Sequence, residues 1–168
     1  IDALIERGIV DGDNLFIAGG SAGGIATAYA VGLTDRFNAA VAAKPVINWV
    51  SKTLTADSMV GQIYHQFPGP PWEHLDHYWK RSPLSLVSNV VTPTLLLTGE
   101  EDRRTPMSET EQFYQALRLR GVDSAMVRLP DTSHGIASRP SRLITKVDHI
   151  LAWFCLLYTS DAADECLC

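Results

Sequence analysis

The chain holds 168 residues with a formal net charge of −5, of which 46% are hydrophobic and 20% charged. That is one domain's worth of sequence, long enough to bury a sizeable core. The acidic balance speaks against a nucleic-acid face, and no apolar run approaches the roughly 18 residues of a membrane span.

In chain order, residues 2–7 read as the end of a helix stopped by Gly8, and Asp11-Gly12-Asp13-Asn14 as a turn. Leu15-Phe16-Ile17-Ala18 is an apolar strand. Gly19-Gly20-Ser21-Ala22-Gly23-Gly24 follows, and then the helix formers Ile25 to Val31, closed by Gly32. Strand, sharp glycine-rich turn and helix are the context of a G-x-S-x-G nucleophile elbow. Glycines at 19 and 23 are expected to let strand and helix approach closely. The Ser21 hydroxyl would then stand above the sheet edge. The backbone N–H of Ala22, at the helix N-terminus, would point where an oxyanion forms. A dinucleotide fingerprint would need Gly where Ser21 stands, and a P-loop would need Lys followed by Ser or Thr where Ile25-Ala26 stands.

Ala39 to Ala43 is a second buried strand, ended by Lys44-Pro45. Val46 to Trp79 is rich in aromatics and broken by Pro68-Gly69-Pro70-Pro71. It reads as an excursion of short helices and loops over the carboxyl edge of the sheet, either walling a substrate pocket or packing on the core. Thr94 to Thr98 is a third strand. Ser108 is expected to cap a helix over Glu109–Arg120, with Glu111 completing a capping box. Ala125 to Leu129 is a fourth strand. A last helix over Arg139–Phe154 sets Leu143, Val147, Ile150, Leu151 and Phe154 on one face. Strands alternating with helices predict a parallel sheet with right-handed crossovers.

Ser21, Asp102 and His134 each fall just past the carboxyl end of a predicted strand, in the order Ser…Asp…His of α/β-hydrolases. A serine hydroxyl is a weak nucleophile until a base takes its proton, and His134 titrates in the right range to take and return it. A carboxylate must fix the imidazole tautomer. Asp102, in a loop free to reach across, is preferred to Asp131, Glu100 or Glu101. His65, His74, His77 and His149 suit the base role less, three lying in the excursion and one inside the last helix. Glu73-His74-Leu75-Asp76-His77 is too sparse a pattern for a metal site, and neither metal nor cofactor is expected.

Together, Gly19-Gly20-Ser21-Ala22-Gly23-Gly24, Pro45-Val46-Ile47-Asn48-Trp49, Gly69-Pro70-Pro71-Trp72-Glu73, Ser82-Pro83-Leu84-Ser85, Pro93 to Gly99, Asp102 to Pro106, Gln112 to Leu117 and His134-Gly135 resemble the catalytic domain of prolyl-oligopeptidase-type serine peptidases. The likeness is strongest to the acylaminoacyl-peptidase and dipeptidyl-aminopeptidase-like branch, and it runs from about Asp11 to Phe154. It implies an α/β-hydrolase fold and cleavage of short peptides through a serine ester. It assigns Ser21 as nucleophile, Asp102 as acid and His134 as base. By the same resemblance Arg104 binds a substrate backbone carbonyl, a task that suits its guanidinium fork. Val46, Trp49 and Tyr64 fall where the family builds the pocket for the residue before the scissile bond. Ala22 departs from the Tyr common after the nucleophile; the backbone donor survives the change and the side-chain contact does not.

The family resemblance also implies an N-terminal β-propeller and earlier strands of the sheet, none visible here. The chain opens without Met at Ile1, so the natural N-terminus is expected upstream, and the missing signal peptide says little of compartment. A cytoplasmic location and a homo-oligomer of the full-length protein are the expectations. The second oxyanion donor, from the β3–αA loop in such folds, would precede residue 1. Losing one such donor costs about 10² to 10³ in turnover, so the fragment alone is expected to be weak or inactive. Residues 1–154 are read as the partial catalytic domain. Residues 155–168 resemble the translation of a transposon-type sequencing adapter and are read as a non-native tail. All three cysteines (Cys155, Cys166, Cys168) lie in that tail, so no disulfide or thiol chemistry is expected. A carboxylesterase of the same fold and a non-catalytic α/β binding module are the competing readings.

Overall fold

A computed structural model describes residues 1–58 and 60–164 of the chain. Among the described residues, four strands form one parallel sheet in the order β1-β2-β3-β4: β1 Phe16–Gly20, β2 Ala39–Ala43, β3 Thr94–Gly99 and β4 Ser124–Leu129. The helices are α1 Asp2–Glu6, α2 Ala22–Leu33, α3 Trp49–Thr55, α4 Val60–Gln66, α5 Leu75–Lys80, α6 Met107–Leu119 and α7 Pro140–Asp164, with 3₁₀ turns at Pro83–Asn89 and Ile136–Ser138. The period-two alternation of a one-sided sheet is absent from β2 and β3, which are buried along their whole length. Continuous apolar runs of this kind are what a parallel sheet covered on both faces demands.

The two faces carry separate cores. Ala40, Ala42 and Leu96 join Ala28 and Val31 of α2 and Phe113 and Leu117 of α6 on one side. Ala43, Leu97 and Leu129 pack with Ile136, just ahead of α7, on the other. The alanines of β2 leave room for α2 to lie close against β1 and β2.

Three local expectations are corrected. Gly32 lies within α2, which ends at Leu33, and it is small for a packing reason: a Cβ there would stand 2.6 Å from the Leu86 Cβ. Helix α6 begins at Met107, so Ser108 is inside it and makes no capping box; Pro106 is the N-cap, without a side-chain cap bond. Glu111 instead pairs with Arg128 of β4. Finally, the last helix does not end at Phe154 as expected, and its apolar stripe is only partly covered. Leu143, Val147 and Leu151 remain exposed, while Phe154 and then Tyr158 meet the ring of Phe16 on β1. Helix α7 continues through the segment read as a tail as far as Asp164, whereas Cys166 and Cys168 lie outside the described residues.

The aromatic excursion divides its labour. Phe67 stacks on Tyr78 at 4.1 Å and both are buried. Tyr78 donates its hydroxyl proton to the Gly69 carbonyl, and Trp49 turns toward the carboxyl edge of the sheet. Tyr64, Trp72 and Trp79 are exposed. Among the described residues no helix is long and apolar enough to cross a membrane.

Candidate active site

The turn after β1 carries a backbone that few L-residues adopt: Ser21 has φ 58° and ψ −118°. Such a conformation costs on the order of 1–3 kcal/mol and persists only where its surroundings enforce it. Here the Ser21 N–H donates to the Ala43 carbonyl at 3.0 Å, and the Ser21 carbonyl accepts from Ile25 N–H at 3.0 Å. The tightness excludes side chains. A Cβ on Gly19 would lie 2.2 Å from the Gly23 carbonyl oxygen, and one on Gly24 would lie 2.5 Å from that of Ala43. Gly23 itself has open space, so Gly24 rather than Gly23 joins Gly19 in requiring glycine.

Asp102 and His134 are delivered by the loops after β3 and β4. The Ser21 Oγ lies 3.0 Å from His134 Nε2, and His134 Nδ1 lies 2.8 Å from Asp102 Oδ2. The Asp102 side chain is fully buried, and the imidazole is 27% exposed. A buried carboxylate is costly unless donors surround it. Asp102 Oδ1 accepts the N–H groups of Arg104 and Thr105, each at 2.9 Å. Its Oδ2 accepts the Thr105 hydroxyl at 3.0 Å beside the imidazole. Asp131, the rival acid, is exposed on its loop with φ 49°. Lys44, itself at φ 43°, donates from Nζ to the His134 carbonyl at 2.6 Å and so holds the histidine loop against the end of β2. Burial lowers the Lys44 ammonium below the usual lysine range, opposed by the Asp102 charge.

A cleft of about 430 Å³ opens in front of this array and is lined by Ser21, Ala22, Val46, Trp49, Arg104 and His134. Ile25, Lys52, Gln66 and Thr105 line it as well. Tyr64 is not brought in; it is 76% exposed on α4, and Gln66 at the end of the same helix reaches the cleft instead. The N–H of Ala22 belongs to the first turn of α2, whose amides have no intrahelical acceptor. Arg104 donates from Nε to Asp57 Oδ1 at 2.9 Å, an exposed pair that draws the Asp57 carboxyl below the usual range.

Sequence reasoning missed Thr105, Lys52, Gln66 and the structural role of Lys44. Thr105 had a local signal: a side chain three residues after Asp102 can return to it in a turn. Lys44 had none, since its partner lies 90 residues away.

An array of hydroxyl, imidazole and buried carboxylate in line, at hydrogen-bond spacing, can pass a proton from the hydroxyl to the ring while the carboxylate holds the ring's other N–H. The profile of the prolyl oligopeptidase family (Peptidase_S9) matches residues 1–159. The uncharacterized peptidase YuxL of Bacillus subtilis is 36% identical over 159 residues, covering 92% of this chain and 24% of the relative. The acylamino-acid-releasing enzyme of Arabidopsis thaliana is 34% identical over 162 residues, covering 92% of this chain and 21% of the relative. A puromycin-hydrolyzing peptidase of Mycobacterium tuberculosis superposes with a TM-score of 0.82 at 30% identity, over 91% of this chain and 23% of that one. The chain thus spans about a quarter of the length of the relatives it matches. With its parallel sheet and flanking helices of the α/β-hydrolase kind, this chain belongs to the prolyl oligopeptidase family of serine peptidases.

Proposed function

We propose that this chain carries the catalytic machinery of a serine peptidase that hydrolyses short peptides through an acyl-enzyme. The observation that carries the reading is the line from Ser21 Oγ through His134 (3.0 Å) to buried Asp102 (2.8 Å) at one edge of the sheet. In it, His134 Nε2 accepts the Ser21 proton as Oγ attacks the scissile carbonyl. The oxygen gains negative charge, and the Ala22 N–H donates to it from the positive end of α2. His134 returns the proton to the leaving amine as the C–N bond breaks. Water, deprotonated by the same ring, then hydrolyses the ester and regenerates Ser21. Asp102 keeps Nδ1–H directed away from the serine and stabilises the imidazolium. Arg104 receives a backbone carbonyl of the substrate, and Val46 and Trp49 flank the residue before the scissile bond.

The deciding experiment uses the protein expressed from its complete reading frame. Its activity is measured on aminoacyl- and acyl-aminoacyl-nitroanilides beside a simple nitrophenyl ester, with a fluorophosphonate probe for the serine. Amide cleavage and labelling, both lost in Ser21→Ala, support the peptidase. Ester cleavage alone moves the assignment to an esterase. Absence of any Ser21 adduct leaves a binding module.

A further inference from the structure

We propose that Glu109 is a positioning residue: its carboxyl fixes the Val46–Trp49 wall of the cleft and locks that wall to the helix that follows the Asp102 loop. The proposal rests on the peptidase reading for what the cleft binds, but the positioning itself is a matter of geometry.

Glu109 stands in the first turn of α6 and is wholly buried. Filling space is a poor reason for a carboxyl there, since a leucine would fill it without desolvating an acid. The acid is instead an acceptor for another element. Its Oε2 receives two successive backbone N–H groups, Ile47 at 2.9 Å and Asn48 at 2.8 Å. Those residues lie between Val46 and Trp49, the two side chains that wall the cleft.

The second oxygen, Oε1, meets the Ser51 hydroxyl and the Gln112 amide. The network then closes on itself. Asn48 Nδ2 donates to Gln112 Oε1 at 3.0 Å, and Asn48 Oδ1 caps α3 by accepting from Val50 N–H at 3.0 Å. Gln112 Nε2 donates to Ser51 Oγ at 3.0 Å, and the Ser51 hydroxyl reaches the Asn48 carbonyl at 3.1 Å. Ser51 has one proton for two acceptors, Glu109 Oε1 and the Asn48 carbonyl. A protonated Glu109 resolves the count, donating to Ser51 Oγ while Ser51 donates to the carbonyl. Burial does push the Glu109 carboxyl above the usual range, against four bonds that pull it down. Glutamine reproduces that pattern except for the long contact from Gln112: its carbonyl takes both backbone N–H groups and its amide donates to Ser51, while the 3.4 Å bond from Gln112 Nε2 is lost.

The test compares Glu109→Ala with Glu109→Gln in the protein expressed from its complete reading frame. Substrates are an acyl-aminoacyl-nitroanilide, whose side chain needs the wall, and nitrophenyl acetate, which does not. For E109A the nitroanilide KM should rise about tenfold or more with kcat little changed, and the acetate should be hydrolysed as before, the signature of lost substrate binding. E109Q should restore the nitroanilide KM to within about threefold of the parent. Amide hydrogen exchange over residues 46–51 should quicken in E109A and stay slow in E109Q. If E109A does not fold, Glu109→Asp, one methylene short of the two amides, takes its place with the same expectation.

An equal fall in kcat on both substrates, an unchanged KM, or an E109Q as impaired as E109A would each overturn the proposal. Should the parent protein cleave neither amide nor ester, the peptidase reading fails by itself. The exchange data still decide Glu109: faster exchange in E109A alone supports it, and equal exchange in all three proteins overturns it.

Discussion

Gly99 and Thr132 touch backbone to backbone: a Cβ on Gly99 would stand 2.0 Å from the Thr132 carbonyl oxygen. Gly99 ends β3 ahead of the Asp102 loop, and Thr132 lies two residues before His134. The same carbonyl accepts from Glu101 N–H at 3.1 Å, so the Asp102 loop and the His134 loop share one anchor. Gly99→Ala must therefore part the two loops that bring Asp102 to His134. Overpacking of this sort typically costs about 1–3 kcal/mol. The expected outcome is a lower melting temperature together with slower fluorophosphonate labelling of Ser21. A variant that melts lower but labels at the parental rate would show that the loops move apart without disturbing the line from Ser21 through His134 to Asp102.

The proposal of Asp102 as the acid rests on bond count as well as on distance. Asp102 gathers four donors on two oxygens, whereas Asp131 is exposed. Asp102→Asn keeps the shape and loses the charge, which in the well-studied serine-protease triad lowers turnover about 10⁴-fold by leaving the wrong imidazole tautomer. A fall of similar order is expected here in kcat on a nitroanilide. Asp131→Asn should change kcat less than about twofold, because asparagine tolerates the positive φ of that position. A large loss in the second variant and a small one in the first would reverse the assignment.

What was legible in the sequence and what was not divides along the distance between partners. The sharp turn could be read because Ser21, its glycines, the strand and the helix are contiguous, and because the close contact at Gly19 forbids any other residue. That Asp102 and His134 would meet at one edge of the sheet was legible because a parallel sheet brings the ends of its strands there. Ser108 misled because a Ser-x-x-Glu pattern is short enough to occur by coincidence, and Pro106 had already set the start of α6. Glu109 was invisible for the opposite reason. On an amphipathic helix it reads as one more solvated charge, and only Ile47 and Asn48, some 60 residues earlier, reveal that it is buried. Tyr64 failed because no local pattern fixes how α4 is turned, so a residue two places from Gln66 points away from the cleft that Gln66 lines.

Arg104 offers a way to separate peptide from ester chemistry. Its guanidinium lines the cleft yet bonds Asp57, an exposed pair that contributes little to stability. A hydrogen bond from a charged group to a substrate carbonyl is worth about 1.5–3 kcal/mol. Arg104→Met should therefore lower kcat/KM on a dipeptidyl nitroanilide roughly 10- to 100-fold and leave nitrophenyl acetate, which lacks that carbonyl, nearly untouched. Equal losses on the two substrates would mean that Arg104 supports the loop of Asp102 and Thr105 rather than the peptide.

Glu109 also ties stability to pH, with a definite sign. Burial raises its carboxyl in the folded chain above the ordinary glutamate value. The folded state then binds the proton more tightly than the unfolded one, so falling pH favours folding through this group, and the cost of ionising it is present in full above the raised folded value. Asp57 and Asp2, held below their usual range by Arg104 and Arg36, act in the other direction and lose their contribution as acid protonates them. Only a difference isolates Glu109. Glu109→Gln, which cannot ionise, should melt higher than the parent at neutral pH, by about 2–4 °C for each kcal/mol relieved. The gap should shrink as pH falls through the Glu109 titration and close below it, because the parent then carries the same neutral group. A gap that stays constant with pH would mean that Glu109 titrates as it would in water, and that its hold on Ile47 and Asn48 is exerted by the ionised carboxylate.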